Sequence, residues 1–302
     1  MILCVCPNPS IDMFVWIDTF RSGEVNRAKR EQRFPGGKGV HVAMAIAELG
    51  EPVHLLGMWG GASGQWIRRE CETRGVRCHG PEVAGWSRTC MTFKSASVEF
   101  HDTELLGTGP FINSDDFHQL LRDFRRLLPE SELVCMSGSW PDGAPVDGYA
   151  QLIGLAHDAG KLTVLDTTGV QLTHALERRP GVVHMNRSEA AAWFREDDVV
   201  KSARLLADIC DYAAVTAGAE GLHLVRGDEA LHARCKVDIV YSAVGSGDCL
   251  MAGMAVALQR GQSLEDIARM AVACGGANCM REDLGMLYRK DVEMLLPTVE
   301  LM

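Results

Sequence analysis

The stretch ELVCMSGSWPDGAPVDGYAQLIGLAHDAGKLTVLD, residues 132–166, points to the architecture of the whole chain. Its two ends, Glu132–Ser137 and Leu162–Asp166, are short apolar runs that predict buried strands. Between them Val146–Ala159 has the spacing of a helix and ends at Gly160, a residue typical of helix C-termini. A strand, a helix and a strand in this order predict two parallel strands joined by a right-handed crossover.

The same alternation continues outward in both directions. Met1–Cys6 and Pro52–Met58 predict strands on either side of an Ala-rich helix at Val40–Leu49, and Ala213–Thr216 predicts a further strand. Strands separated by helices indicate an α/β protein in which a mainly parallel sheet is covered on both faces. We therefore expect a three-layer α/β/α core, with residues 1–302 forming a single domain.

Two stretches interrupt this alternation. Asp12–Phe34 and Ser87–His101 alternate polar and apolar residues without an intervening helix, which is typical of antiparallel strands with one face in water. We expect residues 12–34 and 87–103 to form a small β-sheet inserted into the core, as a lid or an interface patch.

Composition excludes several classes of protein. The 302 residues are 47% hydrophobic, and the formal net charge of −10 disfavours binding to nucleic acid or to an anionic membrane. No run reaches 18 consecutive apolar residues, the length that a membrane span needs. The 11 cysteines form no zinc-binding pattern, so we expect reduced thiols and a cytoplasmic protein.

The strongest motif is Val244-Gly245-Ser246-Gly247-Asp248, which precedes a helical pattern. Glycines at the start of a helix allow backbone N–H groups to converge on an anion, and the helix dipole favours negative charge there. A carboxylate in the same turn suits a general base that accepts a hydroxyl proton beside a phosphoryl group. The alternative is a tight turn in which Asp248 is only a helix cap.

A second glycine-rich loop, Pro35-Gly36-Gly37-Lys38-Gly39, also leads into a helix. It lacks the spacing of a Walker loop. Either the backbone approaches a ligand closely while Lys38 supplies charge, or the segment is a flexible turn.

The segment Asn186-Arg187-Ser188-Glu189 follows an apolar strand and carries an amide and a carboxylate three residues apart. These oxygen ligands suit hydrated Mg²⁺, held through water. The alternative is a capping box at a helix start.

Polar residues follow two other strands, at Asn8–Asp12 and at Ser137–Pro141. Ligands of open α/β sheets bind at the carboxyl ends of strands, so Asp12 and Ser137 are candidates for contacts with a sugar. Residues that only form turns are the alternative.

In this order the segments resemble the PfkB/ribokinase family of carbohydrate kinases, and most closely the branch that contains 1-phosphofructokinases and tagatose-6-phosphate kinases. The resemblance covers nearly the whole chain and rests on these motifs: NPSID from Asn8, GEVNR (Gly23–Arg27), PGGKGVHVA (Pro35–Ala43), SRT (Ser87–Thr89), GSWP (Gly138–Pro141), NRSE (Asn186–Glu189), TAGAEG (Thr216–Gly221) and GSGD (Gly245–Asp248).

The resemblance implies a ribokinase-like fold and transfer of the γ-phosphoryl group of ATP to a sugar hydroxyl under a β-sheet lid. It implies that Asp248 is the base, and that Gly245, Ser246, Gly247 and Asp248 form the anion hole. It assigns Mg²⁺ to Asn186 and Glu189. Contacts with the nucleotide are implied for Asn186, Thr216, Gly218, Gly221 and Asn278.

On the sugar side, the resemblance implies contacts from Asp12, Gly36, Gly37 and Lys38. Lys38 and Arg88, with Arg27 as a weaker candidate, suit a second phosphate that does not react, because cationic donors form strong bonds with phosphate. His41 and Cys90 stand where this branch usually has Asn, which leaves the exact sugar open. We expect His41 to contact the substrate; local packing or hydrogen bonding is the alternative.

We therefore expect ATP-dependent phosphorylation of a ketohexose phosphate, of the fructose 1-phosphate or tagatose 6-phosphate type, to a bisphosphate. A kinase of a neutral sugar or nucleoside is the first alternative, and a non-catalytic sugar-phosphate sensor is the second. A dinucleotide-binding oxidoreductase is disfavoured, because no G-x-G-x-x-G follows the first strand. Exposed edges of the inserted strands predict a homodimer that forms through the lid.

Overall fold

The structure is a computed structural model that describes residues 1–97 and 99–302. Val98, which belongs to the predicted inserted stretch, lies outside the described residues. The strands of the described chain are β1 (Ile2–Cys6), β2 (Ser10–Ile17), β3 (Arg30–Gly36), β4 (Val53–Gly57), β5 (Trp59–Gly60), β6 (Arg77–His79), β7 (Glu82–Val83), β8 (Arg88–Ser95), β9 (Thr103–Leu106), β10 (Leu133–Ser137), β11 (Leu162–Asp166), β12 (Val182–Asn186), β13 (Tyr212–Thr216), β14 (Leu222–Arg226), β15 (Glu229–Arg234) and β16 (Glu300–Leu301).

The helices alternate with these strands over most of the chain. They are α1 (Lys38–Glu48), α2 (Gly61–Thr73), α3 (Ser114–Leu127), α4 (Gly148–Asp158), α5 (Gly169–Leu176), α6 (Arg187–Phe194), α7 (Val199–Ala207), α8 (Ser246–Gln259), α9 (Leu264–Cys279) and α10 (Arg289–Leu295). No helix in the described ranges is long and apolar enough to cross a membrane.

The large sheet has the order β16-β15-β14-β13-β12-β11-β10-β1-β4-β6. From β13 to β6 neighbouring strands are parallel, whereas β14, β15 and β16 add an antiparallel edge. Strands β1, β4 and β10 are buried along their whole length, because helices cover both of their faces.

Each face of this sheet has its own hydrophobic core. One core packs Cys4 and Leu55 against α1, α8 and α9, and the other packs Leu3 and Val134 against α3 and α4. Side chains of successive strand residues point to opposite faces, which is why Leu3 and Cys4 belong to different cores. The expected three-layer α/β/α arrangement is confirmed.

A second sheet with the order β3-β2-β8-β9 stands beside the first. Its outer pairs, β2 with β3 and β8 with β9, are antiparallel as expected. The central pair, β2 with β8, is parallel, so the expectation of a purely antiparallel sheet is wrong. The reason is topological: 70 residues separate the two strands, and so long a connection allows either direction.

Candidate active site

A cleft of ≈ 560 Å³ lies at the carboxyl ends of the parallel strands and beneath the second sheet. It brings together most of the residues that the sequence singles out. They are Asp12, Gly37, Lys38, His41, Arg88, Asn186, Glu189, Thr216, Gly218, Gly245, Ser246, Gly247 and Asp248.

The start of α8 forms one wall of this cleft. Gly245 caps the helix with a φ of +83°, a conformation that glycine adopts without strain. A Cβ at this position would lie 2.5 Å from the Cα of Gly285, so the close approach of these two loops also requires glycine. Asp248 lies in the first turn of the helix and is buried. Backbone N–H groups and one carboxylate therefore face the same space, as a phosphoryl-transfer site requires.

Asn278 supports this wall from behind. It is 1% exposed, and its Nδ2 donates to the backbone carbonyl of Val244 at 3.0 Å. Its side chain therefore holds the loop that leads into α8 and does not line the cleft.

His41 lies between two carboxylates. Its Nδ1 is 2.8 Å from Oδ2 of Asp248, and its Nε2 is 3.3 Å from Oδ2 of Asp12. Burial disfavours a charged imidazole, but the contacts with these two carboxylates outweigh burial and raise the pKa of His41 to about 10. Burial likewise would raise the pKa of Asp12, yet His41, Ser10 and Arg88 lower it below its ordinary value.

Lys38 is held by a carboxylate from the large sheet. Its Nζ is 2.5 Å from Oδ1 of Asp166, at the end of β11, and the other oxygen of Asp166 is 2.8 Å from Nδ1 of His184. His184 in turn contacts the hydroxyl of Thr216 at 3.1 Å. Burial opposes the charge on both members of the ion pair. Their attraction is stronger, so the pKa of Lys38 is well above its usual value and that of Asp166 well below.

Arg88 brings a second cation to the cleft. It is half-buried at the start of β8, with its Nε 3.2 Å from the carbonyl oxygen of Asn8 and one Nη 3.4 Å from that of Gly107. The guanidinium has five N–H donors, and these contacts use two. The Lys38 side chain is 41% exposed, and its ammonium has two donors besides the one that faces Asp166. Both cations can therefore also bind an anionic ligand.

Asn186 and Glu189 form a capping box at the start of α6. The Asn186 side chain accepts from the backbone N–H of Glu189, and the Glu189 carboxylate accepts from the backbone N–H of Asn186. The structural alternative that the sequence left open is therefore correct. It does not exclude the metal role, since Glu189 uses only one of its carboxylate oxygens in the cap and lines the cleft.

A narrower recess of ≈ 260 Å³ continues from the cleft and shares Thr216, Gly218 and Ser246 with it. Its walls are mostly apolar, with Val237, Val240, Leu250 and Val272 among them. Gly221 also lines it; a Cβ at that position would lie 2.1 Å from the Ala233 carbonyl oxygen. A slot with apolar walls suits a flat heteroaromatic base, and the polar cleft beside it suits phosphates.

Three other sequence candidates lie off the cleft surface. Gly36 packs behind Asp12, where a Cβ would fall within 2.5 Å of that carboxylate. Ser137 is fully buried, and Gly138 and Ser139 form the cleft wall at its strand end. Arg27 is exposed between β2 and β3 and does not line the cleft.

The sequence analysis missed Asp166 and did not assign a role to His184. Both lie at or near the carboxyl ends of strands, and this was the signal that could have identified them. Glu104 was also missed, because β9 carries no motif; it lines the cleft from the second sheet.

Comparisons with known proteins identify the chain as a phosphotransferase. The family model described as "pfkB family carbohydrate kinase" matches residues 8–286, and the chain belongs to this family.

Among its relatives, tagatose-6-phosphate kinase of Staphylococcus epidermidis is 30% identical over 310 residues, with 99% of each chain covered. The 1-phosphofructokinase of Bacillus subtilis is 28% identical over 306 residues, again with 99% of each covered. The crystal structure of phosphofructokinase-2 from Escherichia coli in complex with potassium is 25% identical and has a TM-score of 0.89, with 98% of each chain covered.

Proposed function

We propose that this protein transfers the γ-phosphoryl group of ATP to a hydroxyl of a ketohexose phosphate, of the fructose 1-phosphate or tagatose 6-phosphate type, and so forms a bisphosphate. The observation that carries the proposal is that Asp248, in the first turn of α8, shares one cleft with the cations Lys38 and Arg88. The names of the two curated relatives support the same class of substrate.

In the proposed reaction Asp248 accepts the proton of the attacking hydroxyl. The hydroxyl oxygen forms a bond to the γ-phosphorus while the bond from that phosphorus to the β–γ bridging oxygen breaks, and the electron pair leaves with ADP. Oδ2 of Asp248 is bound to His41, and Oδ1 takes no hydrogen bond from the described residues, so Oδ1 is the proton acceptor. The backbone N–H of Ser246 donates to the carbonyl of Ala243 at 3.1 Å, so the N–H groups of Gly245, Gly247 and Asp248 stabilise the charge on the transferring group.

Lys38 and Arg88 bind the phosphate that the sugar already carries. A sugar phosphate has close to two negative charges, and the cleft also contains the carboxylates of Asp12 and Glu104, which would repel it. The two cations therefore have to offset this repulsion, and removal of either one should weaken binding of the phosphosugar more than binding of ATP.

The cofactor in this proposal is Mg²⁺, which neutralises charge on the triphosphate when it is bound. Within the described residues no group of three or more His, Cys, Asp or Glu side chains could hold a metal ion. Mg²⁺ commonly keeps several waters and uses one or two carboxylates. Glu189, half-buried in the cleft and with one free oxygen, fits this mode with Asn186 beside it.

The second sheet is proposed to be a lid that excludes water from the transfer and limits ATP hydrolysis. Its edge strand β9 exposes Leu105 and Leu106, which are 59% and 61% exposed. An exposed apolar edge strand favours pairing with a second copy of the chain. We propose a homodimer through this edge.

A substrate panel tests the function. Purified protein with ATP and Mg²⁺ is given fructose 1-phosphate, tagatose 6-phosphate, fructose 6-phosphate, fructose or ribose, and release of ADP is measured. The expected result is turnover with at least one phosphosugar and little with fructose or ribose. Efficient turnover of only the neutral sugars would refute the role of Lys38 and Arg88. Binding of a phosphosugar without any release of ADP would instead indicate a non-catalytic sugar-phosphate sensor.

A further inference from the structure

We propose that His41 is a positioning residue for this transfer: an imidazolium that binds Asp248 through Nδ1 and Asp12 through Nε2, and so holds the base and the substrate-side carboxylate in one fixed arrangement. The inference rests on the proposed role of Asp248. It differs from a direct substrate contact, because both ring nitrogens face protein carboxylates.

The two neighbouring carboxylates favour a proton on each ring nitrogen. Nδ1 lies at hydrogen-bond distance, 2.8 Å, from the Asp248 carboxylate, which can only accept. A neutral ring would then direct the lone pair of Nε2 at the Asp12 carboxylate, 3.3 Å away, and the two would repel each other. A second proton turns this repulsion into attraction, since Nε2 is buried, makes no hydrogen bond within the described residues and has the Asp12 carboxylate at charge-pair distance.

The ring is fixed by its surroundings. His41 is 3% exposed. The backbone of Gly285 packs directly against its ring, because a Cβ on Gly285 would fall 2.3 Å from Cδ2 of the ring. The backbone of Gly285 has a φ of +64°, so this position favours glycine for two separate reasons. A ring held in this way cannot rotate towards a substrate without movement of the loop.

The charges around His41 explain why a cation belongs at this position. Asp12 and Asp248 are both buried and both contact the same ring, so without a positive charge between them they would repel each other in a poorly solvated place. The other charged or titratable groups near this cluster are Lys38 on the same helix, Arg88 and Cys90 on β8, Cys6 on β1 and Glu104 on β9.

The two carboxylate oxygens of Asp248 therefore have different roles in the reaction. The bond to His41 occupies Oδ2 and sets the rotation of the carboxylate, and Oδ1 is left in the cleft for the hydroxyl. Asparagine, which the family resemblance places at this position in related kinases, offers one neutral amide and cannot balance two carboxylates.

The first experiment compares wild type with His41→Asn in steady-state kinetics from pH 6 to 10. The expected result is a fall in kcat of roughly ten- to a hundredfold, the range for loss of a hydrogen bond between charged groups, with a much smaller change in the KM for ATP. The pH profile should also change shape, since the variant lacks the group that titrates near pH 10. An unchanged kcat and profile would overturn the proposal.

A second measurement does not depend on activity. Nitrogen-15 NMR of the histidine rings reports protonation directly, and His41 should remain an imidazolium at pH 8.5, where an ordinary histidine is neutral. A neutral ring at that pH would overturn the proposal even if His41→Asn is inactive. If the wild type lacks kinase activity but His41 is protonated at pH 8.5, the proposed function is wrong, whereas the proposed contacts of a charged His41 with Asp12 and Asp248 remain supported.

Unfolding supplies the third measurement and the controls. The pKa of His41 in the folded protein is about 10, above the ordinary value of about 6.5, so its stabilisation is full below pH 6.5 and is lost as the pH rises through 10. The stability difference between wild type and His41→Asn should therefore shrink over this range. Asp12→Asn added to His41→Asn should restore part of the lost stability, because it removes one of the two facing carboxylates.

His54→Asn is the matched control. His54 is also buried and lies 3.8 Å from a carboxylate, that of Glu130, but at the opposite end of the sheet. Its loss should lower stability without changing the pH profile of kcat. An equal change of profile in both variants would assign the effect of His41→Asn to general loss of packing and overturn the proposal.

Discussion

Replacement of Asp166 by asparagine tests how the cleft holds its lysine. The Asp166 side chain is 2% exposed and binds Lys38 through one oxygen and His184 through the other, at 2.5 and 2.8 Å. Asparagine has the same shape but no charge. We expect a less stable protein in which Lys38 is no longer fixed and phosphosugar binding is weakened.

The size of the effect follows from the two contacts. Asparagine keeps one acceptor oxygen in place of two, so one hydrogen bond to a charged group, which contributes about 1.5–3 kcal/mol, is lost. The Lys38 side chain is 41% exposed, and solvent screening reduces its share. The expected loss is therefore about 2 kcal/mol, or about 3 °C in Tm for a chain of this size.

The pH dependence of this loss has a definite sign. The pKa of Asp166 in the folded protein lies well below the ordinary value of about 3.9, because Lys38 and His184 outweigh the effect of burial. Its contribution is present above that ordinary value and disappears as the pH falls through the folded one. The stability difference between wild type and variant should be constant from pH 8 to 5 and should shrink below pH 4.

The assay is denaturant unfolding together with steady-state kinetics in both substrates. The KM for the phosphosugar should rise about three- to tenfold, because a freed lysine side chain has to lose its rotamer entropy on binding, about 1–2 kcal/mol in full. Glu51→Gln is the control: Glu51 binds Arg260 at 2.6 and 2.8 Å at the far end of α8, and Arg260 is as exposed as Lys38, although Glu51 itself is less buried than Asp166. Unchanged stability and KM in Asp166→Asn, or an equal KM change in Glu51→Gln, would refute the reasoning.

Three other variants have expected outcomes. Asp248→Asn should lower kcat about 10²–10⁴-fold, and near-normal turnover would remove it as the base. Lys38→Ala should raise the KM for the phosphosugar far more than that for ATP. An equal rise in both KM values would mean that Lys38 does not bind the phosphosugar specifically. Gly245→Ala places a side chain on a residue with a φ of +83°, so it should lower stability by about 2 kcal/mol and abolish turnover. The control is Gly154→Ala, whose added Cβ meets nothing within 4 Å, and it should change neither stability nor turnover.

The proposed assembly has its own test. Leu105→Glu, on the exposed edge strand, should convert a dimer into a monomer as measured by light scattering after gel filtration. A wild-type monomer in the same measurement would contradict the proposed dimer.

Much of the fold could be predicted because its signals are local. The apolar runs that end at Ser137 and Asp166, with a helix stopped near Gly160, appear in the structure as β10, α4 and β11. The parallel pairing of β2 with β8 could not be predicted, since alternation of polar and apolar residues specifies the face of a strand and not its direction.

The candidate site was only partly predictable. The motif at Gly245–Asp248 and the residues Lys38 and Arg88 do meet in one cleft, as the sequence analysis expects. The resemblance implies a nucleotide contact for Asn278, which stays a prediction; the bond from its amide to the Val244 carbonyl could not be predicted, because its place on a helix does not reveal where its amide points.

By itself the sequence determined which segments are strands and helices and which residues end at the carboxyl edge of the sheet, because hydrophobic periodicity and glycine positions act over a few residues. Only the tertiary structure decided which charges face each other. His41 and Asp248 are 207 positions apart, and Lys38 and Asp166 are 128 apart. Such pairs depend on how α1, α8 and β11 pack together. They cannot be predicted from the sequence, because hydrophobic periodicity does not indicate which distant charged residues will pair.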